Sequence, residues 1–222
     1  SNETLLVRKL GKMGSILWAF ANGYDESPVK LENTSAPVKS VGNSTTTPRD
    51  METDEDVKIV LYILAESVAA RLRENGFRCR TVEISVRDKE LFHFSKQVKL
   101  QNASNITKEI AEAGYRLYKD NYRLPADDKE LKSSRPEFFQ KPLRSIGIRA
   151  TDLVTDYFWE QLDIFMDPQA REKQVKMDET VDIIRKRFGF YSVQRGLMYR
   201  DGILSACDAK SDHTVHPHGY FG

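Results

Sequence analysis

The chain has 222 residues, 40% apolar and 30% charged, with a formal net charge of +1. That balance suits a soluble chain with a real core and excludes a global basic field, so any nucleic-acid contact must be local. The two cysteines, Cys79 and Cys207, suggest no disulfide framework, which fits a reducing cytosol, and no apolar run nears the ~20 residues of a membrane helix.

Residues 3 to 29 read as a short helical piece. Leu6, Leu10, Ile16, Leu17 and Phe20 form a broken stripe, interrupted by Gly11 and Gly14 and ended by Gly23. The piece is too small to fold alone; it reads either as the last helix of a domain or as an N-terminal helix docked on the domain that follows. Residues 30 to 36 are polar and aperiodic, a linker. A β-branched stretch, residues 37 to 47, favours a strand. Its polar side chains are small, and it holds Lys39, Ser40 and Gly42.

Residues 54 to 75 form the clearest helix, with Asp54 or Asp56 as cap and Val57, Val60, Leu61, Leu64, Val68 and Leu72 as buried stripe. Arg71, Arg73 and Arg78 near its end read as solvated surface. Residues 80 to 91 alternate as a strand, and residues 92 to 100 return as its hairpin partner, with Phe94, Val98 and Leu100 inside. Lys96 breaks that alternation, by a register slip or by snorkelling. Thr107 is the expected N-cap of a helix to about Tyr122, striped by Ile110, Ala113, Leu117 and Tyr118. After a polar loop, residues 142 to 151 form a last strand. Ile146, Ile148 and Ala150 share one face; Leu143, Ser145, Gly147 and Arg149 share the other.

The order strand, helix, strand, strand, helix, strand predicts an α+β domain over residues 37 to 154. It is a βαββαβ four-stranded sheet with two helices on one face. The other face is open and carries Arg87, Ser95, Gln97, Lys99, Ser145, Gly147 and Arg149. Small polar and cationic groups of that kind suit a polyanion whose backbone comes close. Residues 37 to 154 hold 21 Lys and Arg against 18 Asp and Glu, a balance of +3, so placement matters more than total charge. Few aromatic residues lie on this face, which argues against a reader of single-stranded RNA.

This unit resembles the little-finger domain of Y-family DNA polymerases, the translesion enzymes. The matching stretches are Lys39-Ser40-Val41-Gly42, residues 64 to 73, Arg80-Thr81-Val82, Phe94-Ser95-Lys96 and residues 144 to 149. Residues 10 to 14 and 21 to 25 resemble the closing helix of that family's thumb, making residues 1 to 29 the end of a thumb. The resemblance implies that the open face lies against template–primer duplex and holds phosphates without base specificity. Backbone amides near Ser40, Gly42, Ser145 and Gly147 would take phosphate oxygens; Lys39, Lys96, Arg144 and Arg149 would supply charge. Arg144 falls on the Ile146 side by parity. The family's chemistry lies in a palm whose acidic residues hold two metal ions, Mg²⁺ by expectation. No palm is found here, so the chain is expected to be the C-terminal part of a polymerase, without catalytic residues or a cofactor of its own.

Residues 155 to 222 form a tail. Gln161-Leu162-Asp163-Ile164-Phe165 resembles the peptide by which bacterial polymerases bind the sliding clamp, with Gln161 for polar contacts and Leu162, Ile164 and Phe165 as apolar anchors. A helix is expected from about Asp178 to Phe188 and an extended segment over residues 190 to 206. His213, His216 and His218 with Cys207 and Asp212 fit no zinc spacing. The competing reading of the whole chain is a stand-alone nucleic-acid adaptor with no enzymatic parent.

Overall fold

A computed structural model describes residues 2–26, 38–122, 141–155 and 168–207. They fall into two compact units, residues 1–37 and residues 38–222.

The first unit is a pair of helices, α1 (Glu3–Leu10) and α2 (Lys12–Ala21). Asn2 caps α1 by accepting from the Thr4 amide at 3.0 Å. Gly11, at φ 60°, breaks the helix where the stripe is interrupted. The two helices meet at Gly14, where a Cβ would stand 2.3 Å from the Leu6 carbonyl carbon. Any larger residue there would push the helices apart.

The second unit contains β1 (Ser40–Met51), α3 (Asp54–Glu74), β2 (Phe77–Asp88), β3 (His93–Ser104), α4 (Thr107–Asn121) and β4 (Leu143–Thr155). The strands form one antiparallel sheet in the order β1-β4-β2-β3. The architecture is the α+β, βαββαβ arrangement that the sequence predicts. Val82, Ile84 and Val86 of β2 and Ile146, Ile148 and Ala150 of β4 are buried beneath α3 and α4. The stripe of α3 is fully buried against them, with Ile110, Leu117 and Tyr118 of α4. This one-sided burial leaves the opposite sheet face uncovered by the helices of this layer.

Several local expectations are corrected. The cap of α3 is Thr53, in a capping box with Asp56. Asp54 is instead buried, accepting from the Tyr118 hydroxyl at 2.7 Å and pairing with Lys119. Thr107 is the first helical residue of α4, not its cap; the Asp178 carboxylate receives its amide at 2.8 Å. β1 runs past Thr47 through Pro48 to Met51, with a register shift between Thr46 and Met51. An edge strand tolerates both proline and bulge.

The tail helix α5 begins much earlier than expected and spans Pro168–Phe188. It ends at Gly189, at φ 93°. Beyond it, two 3₁₀ turns (Phe190–Ser192 and Gly196–Arg200) and a one-turn helix α6 (Gly202–Ser205) replace the expected extended segment. Met198 and Leu204 join the core. A buried ionic network fixes the tail to the helix layer. Glu66 receives Arg185 at 2.9 Å and Arg195 at 2.7 Å; Arg73 reaches Asp182 at 2.7 Å and Asp178 at 3.3 Å. Arg73 is therefore not solvated surface, and Arg71 is turned inward too, donating to the Gly42 carbonyl at 2.7 Å. Burial lowers the pKa of the Arg71 guanidinium.

Candidate nucleic-acid interface

The strand registers assemble the open face as four rungs running from β1 through β4 and β2 to β3. Ser40, Thr151, Thr81 and Lys99 make the first rung; Gly42, Arg149, Glu83 and Gln97 make the second. Ser44, Gly147, Ser85 and Ser95 make the third; Thr46, Ser145, Arg87 and His93 make the fourth. Successive strand residues point to opposite faces, so these sixteen share one surface. Its large groups are Lys99, Gln97, Arg149, Glu83, Arg87 and His93, and none is aromatic except the imidazole.

Gly147 is buried at the third rung. A Cβ there would stand 2.7 Å from Ser85 Oγ and 2.8 Å from Ser44 Cβ. The neighbouring side chains occupy the space that any side chain at 147 would need. Arg149 leans across the second rung toward Gly42: its Cγ would lie 3.1 Å from a Cβ at that position. Glu83 is its other cross-strand neighbour.

Charge is distributed unequally between the two sides of the domain. On the helix side, Arg49, Arg73, Arg171, Arg185 and Arg195 all pair with carboxylates. Among the described residues, Lys39, Arg87, Lys99 and Arg149 make no ion pair, and all four are exposed. Unpaired cations around small hydroxyls leave a surface that can neutralise phosphates at little desolvation cost.

The predicted residues separate into two groups. Ser40, Gly42, Arg87, Ser95, Lys99, Ser145, Gly147 and Arg149 come together on the open face, with Lys39 just before β1. Lys96 and Arg144 do not join them. Lys96 pairs in register with Ile84 and shares its helix-side face, exposed only because β3 is an edge strand. No slip occurs there. Arg144 lies on the Ile146 side, 3.6 Å from Asp50. The amides of Ser145 and Gly147 belong to a central strand with partners on both sides, so the ladder consumes them. What β4 can offer a phosphate is the Ser145 hydroxyl and Arg149. In the described sheet, amides without a ladder partner lie on the outer sides of the edge strands β1 and β3.

Thr46, Ser44, Ser85 and His93 were not among the residues singled out from the sequence, although the same period-2 rule reaches them. Gln161, Leu162, Ile164 and Phe165 lie outside the described residues, as do His213, His216 and His218. Among the described residues no group of three or more His, Cys, Asp or Glu could hold a metal ion. No described helix is long and apolar enough to cross a membrane.

Residues 38–164 match the impB/mucB/samB family C-terminal domain. The chain is 43% identical over 200 residues to DNA polymerase IV of Acetivibrio thermocellus, covering 90% of this chain and 46% of that protein. It is 34% identical over 195 residues to DNA polymerase IV 2 of Bacillus subtilis (86% and 42%). It is 29% identical over 213 residues to DNA polymerase IV of Pelotomaculum thermopropionicum (94% and 47%). The chain spans a little under half the length of these curated relatives. The match to the family domain covers more than half of the chain and coincides with the sheet and its open face, and the chain belongs to the impB/mucB/samB family of Y-family DNA polymerases, of which it carries the C-terminal part.

Proposed function

We propose that this chain is the DNA-gripping and clamp-docking part of a translesion DNA polymerase working in the cytoplasm. The observation that carries this reading is the open sheet face, four rungs of small polar side chains set with cations that have no carboxylate partner among the described residues. Its occupant is template–primer duplex, held by phosphates of both strands. The face has too few donors and acceptors of fixed direction to read bases, which suits a protein that must slide. Nucleotidyl transfer, with Mg²⁺ on palm carboxylates, belongs to the rest of such a polymerase; the described residues here do not fit that ion, and no catalytic step is assigned to them.

The second half of the proposal is docking of Gln161-Leu162-Asp163-Ile164-Phe165 in a hydrophobic pocket of the sliding clamp. The share of the proteins' length that the relatives match includes the tail, and their names are those of polymerases.

Two titrations test the two halves. Duplex affinity of Arg149→Ala and Lys99→Ala is expected to fall several-fold each, with the salt slope reduced by about 0.9 per lost phosphate contact. Unchanged affinity in both variants refutes the DNA face and leaves the adaptor reading without its surface as well. Clamp binding is expected in the parent chain and absent in Gln161→Ala/Phe165→Ala; equal binding by the double variant refutes the docking peptide.

A further inference from the structure

The last turn of α5 and the turn that follows it expose aromatic rings beside cations. Phe188 is 65% exposed and Tyr191 51%. Gly189, at φ 93°, turns the chain between them, and Phe190–Ser192 forms the first 3₁₀ turn. The rings are held in place by their neighbours. The Arg185 guanidinium stands 4.5 Å from the Phe190 ring centroid, and Phe190 meets Tyr191 edge-on, with centroids 5.4 Å apart and planes at 84°. Arg185 is itself fixed by Glu66 of α3 at 2.9 Å and by the Val193 carbonyl at 2.7 Å. The Arg187 guanidinium lies 5.0 Å from the Phe188 ring centroid. This end of the tail is thus anchored to α3, on the helix side of the sheet.

Lys186 and Arg187 are exposed, and neither makes an ion pair among the described residues. Asp182, one turn back from Lys186, is taken by Arg73. Cations in a last turn complement the helix dipole, but that need makes no demand for rings beside them. Exposed rings alone would suit an apolar partner, yet such a partner would have to strip water from two uncompensated charges. One class of ligand answers both features. A nucleic-acid strand with its bases unstacked offers flat faces to the rings and phosphates to the cations. A duplex does not, because its base faces are hidden in the stack.

We propose that Lys186, Arg187, Phe188 and Tyr191 form a stacking platform for a single DNA strand, a second nucleic-acid site carried by the tail. Phe188 and Tyr191 take base faces, Lys186 and Arg187 take phosphates, and Arg185 and Phe190 are the supports. The platform goes beyond the duplex reading of the open face and does not depend on it, since the two surfaces share no residue. Binding there is sequence-tolerant, because every base has a π-face, and salt-dependent, because the cations meet phosphates. One chain can then hold paired and unpaired DNA at once.

The test titrates the whole chain with two labelled probes, an oligothymidylate and a duplex, each read by fluorescence anisotropy. Oligothymidylate affinity is expected to fall roughly tenfold in Phe188→Ala/Tyr191→Ala. In Lys186→Gln/Arg187→Gln it is expected to fall several-fold, with the salt slope reduced by about 0.7 for each lost phosphate contact. Phe188→Trp keeps the affinity, and the added indole fluorescence is quenched as the strand binds. Arg149→Ala/Lys99→Ala weakens the duplex and leaves the oligothymidylate bound. No binding of oligothymidylate, or equal binding by the aromatic variant with an unquenched Phe188→Trp, overturns the platform. Loss in the cation variant alone leaves a helix-end charge without stacking and overturns it too. Loss only in Arg149→Ala/Lys99→Ala assigns the strand to the open face, so the tail site falls and the DNA face stands. If oligothymidylate binding follows the tail residues while the duplex is indifferent to Arg149 and Lys99, the platform stands and the reading of the open face falls.

Discussion

The Asp178 carboxylate on α5 accepts the Thr107 amide at 2.8 Å, so the first turn of α4 is capped by a residue 71 positions away. The same carboxylate is 3.3 Å from Arg73 and 3.5 Å from Arg195, and its side chain is 5% exposed. One group thus serves a helix terminus and two half-buried cations. Asp178→Ala removes a cap worth about 1 kcal/mol and takes one carboxylate from each of two half-buried guanidinium groups, which keep Asp182 and Glu66. A loss of about 1–3 kcal/mol in urea unfolding is expected. Asp178→Asn keeps an acceptor for the amide and should cost less. A loss within about 0.5 kcal/mol for Asp178→Ala would mean that the tail contributes no cap.

Arg49 joins β1, α3 and the tail, reaching Asp56 at 2.7 Å and Asp201 at 2.5 Å. Burial alone would raise the Asp56 carboxyl, but Arg49 and the amides of Glu52 and Thr53 outweigh it and hold its pKa below the usual carboxylate range. Arg49, the Leu204 amide and the Ile203 amide do the same for Asp201. A carboxyl depressed in the folded state contributes stability above its unfolded pKa and loses it as the pH falls through the folded value. The urea midpoint is therefore expected to drop below about pH 4, and Arg49→Leu should flatten that drop while lowering the plateau. Parallel pH curves for the two proteins would remove Arg49 as the cause.

Gly147→Ala places a methyl group 2.7 Å from Ser85 Oγ and 2.8 Å from Ser44 Cβ. Three strands must splay at the third rung, which costs about 1–3 kcal/mol. Ser85→Gly in the same chain relieves one of the two clashes and should restore part of the thermal stability. No restoration would place the strain elsewhere.

Lys96 and Lys99 are close in sequence and on opposite faces of β3. Lys99→Ala is expected to weaken duplex binding several-fold at low salt, and Lys96→Ala by less than about twofold. Equal losses would show that the duplex wraps the β3 edge, and would restore the role that the sequence resemblance assigns to Lys96.

The sheet and its open face were legible because β2 and β4 alternate cleanly: Val82, Ile84 and Val86, then Ile146, Ile148 and Ala150, each separated by polar or small residues. β1 is harder, because two of its buried inward residues are Thr45 and Thr47, so its period-2 contrast is weak and its end was set too early. The α4 cap was misplaced because local sequence offers Thr107 and nothing reveals Asp178. Arg73 was read as solvated for a similar reason: its carboxylates lie more than a hundred residues away. The pairing of Arg87 with His93 needed the cross-strand register, which periodicity within a strand cannot supply. Gly147 is different again. A glycine in an alternating strand flags close approach, but only the structure names Ser85 and Ser44 as what approaches.

The strand order β1-β4-β2-β3 puts the last strand to be synthesised in the middle of the sheet. Until the chain has grown past Thr155, β1 has no sheet partner and the β2–β3 hairpin has a bare edge. Closure joins segments about a hundred residues apart, a topology that folds slowly. A nascent chain therefore cannot present Ser145, Gly147 and Arg149 beside Arg87 until β4 is inserted, and the Thr107 turn waits longer still, for Asp178. The open face is in this sense completed after β1, β2 and β3 have been made, and an interrupted chain carries unpaired strand edges.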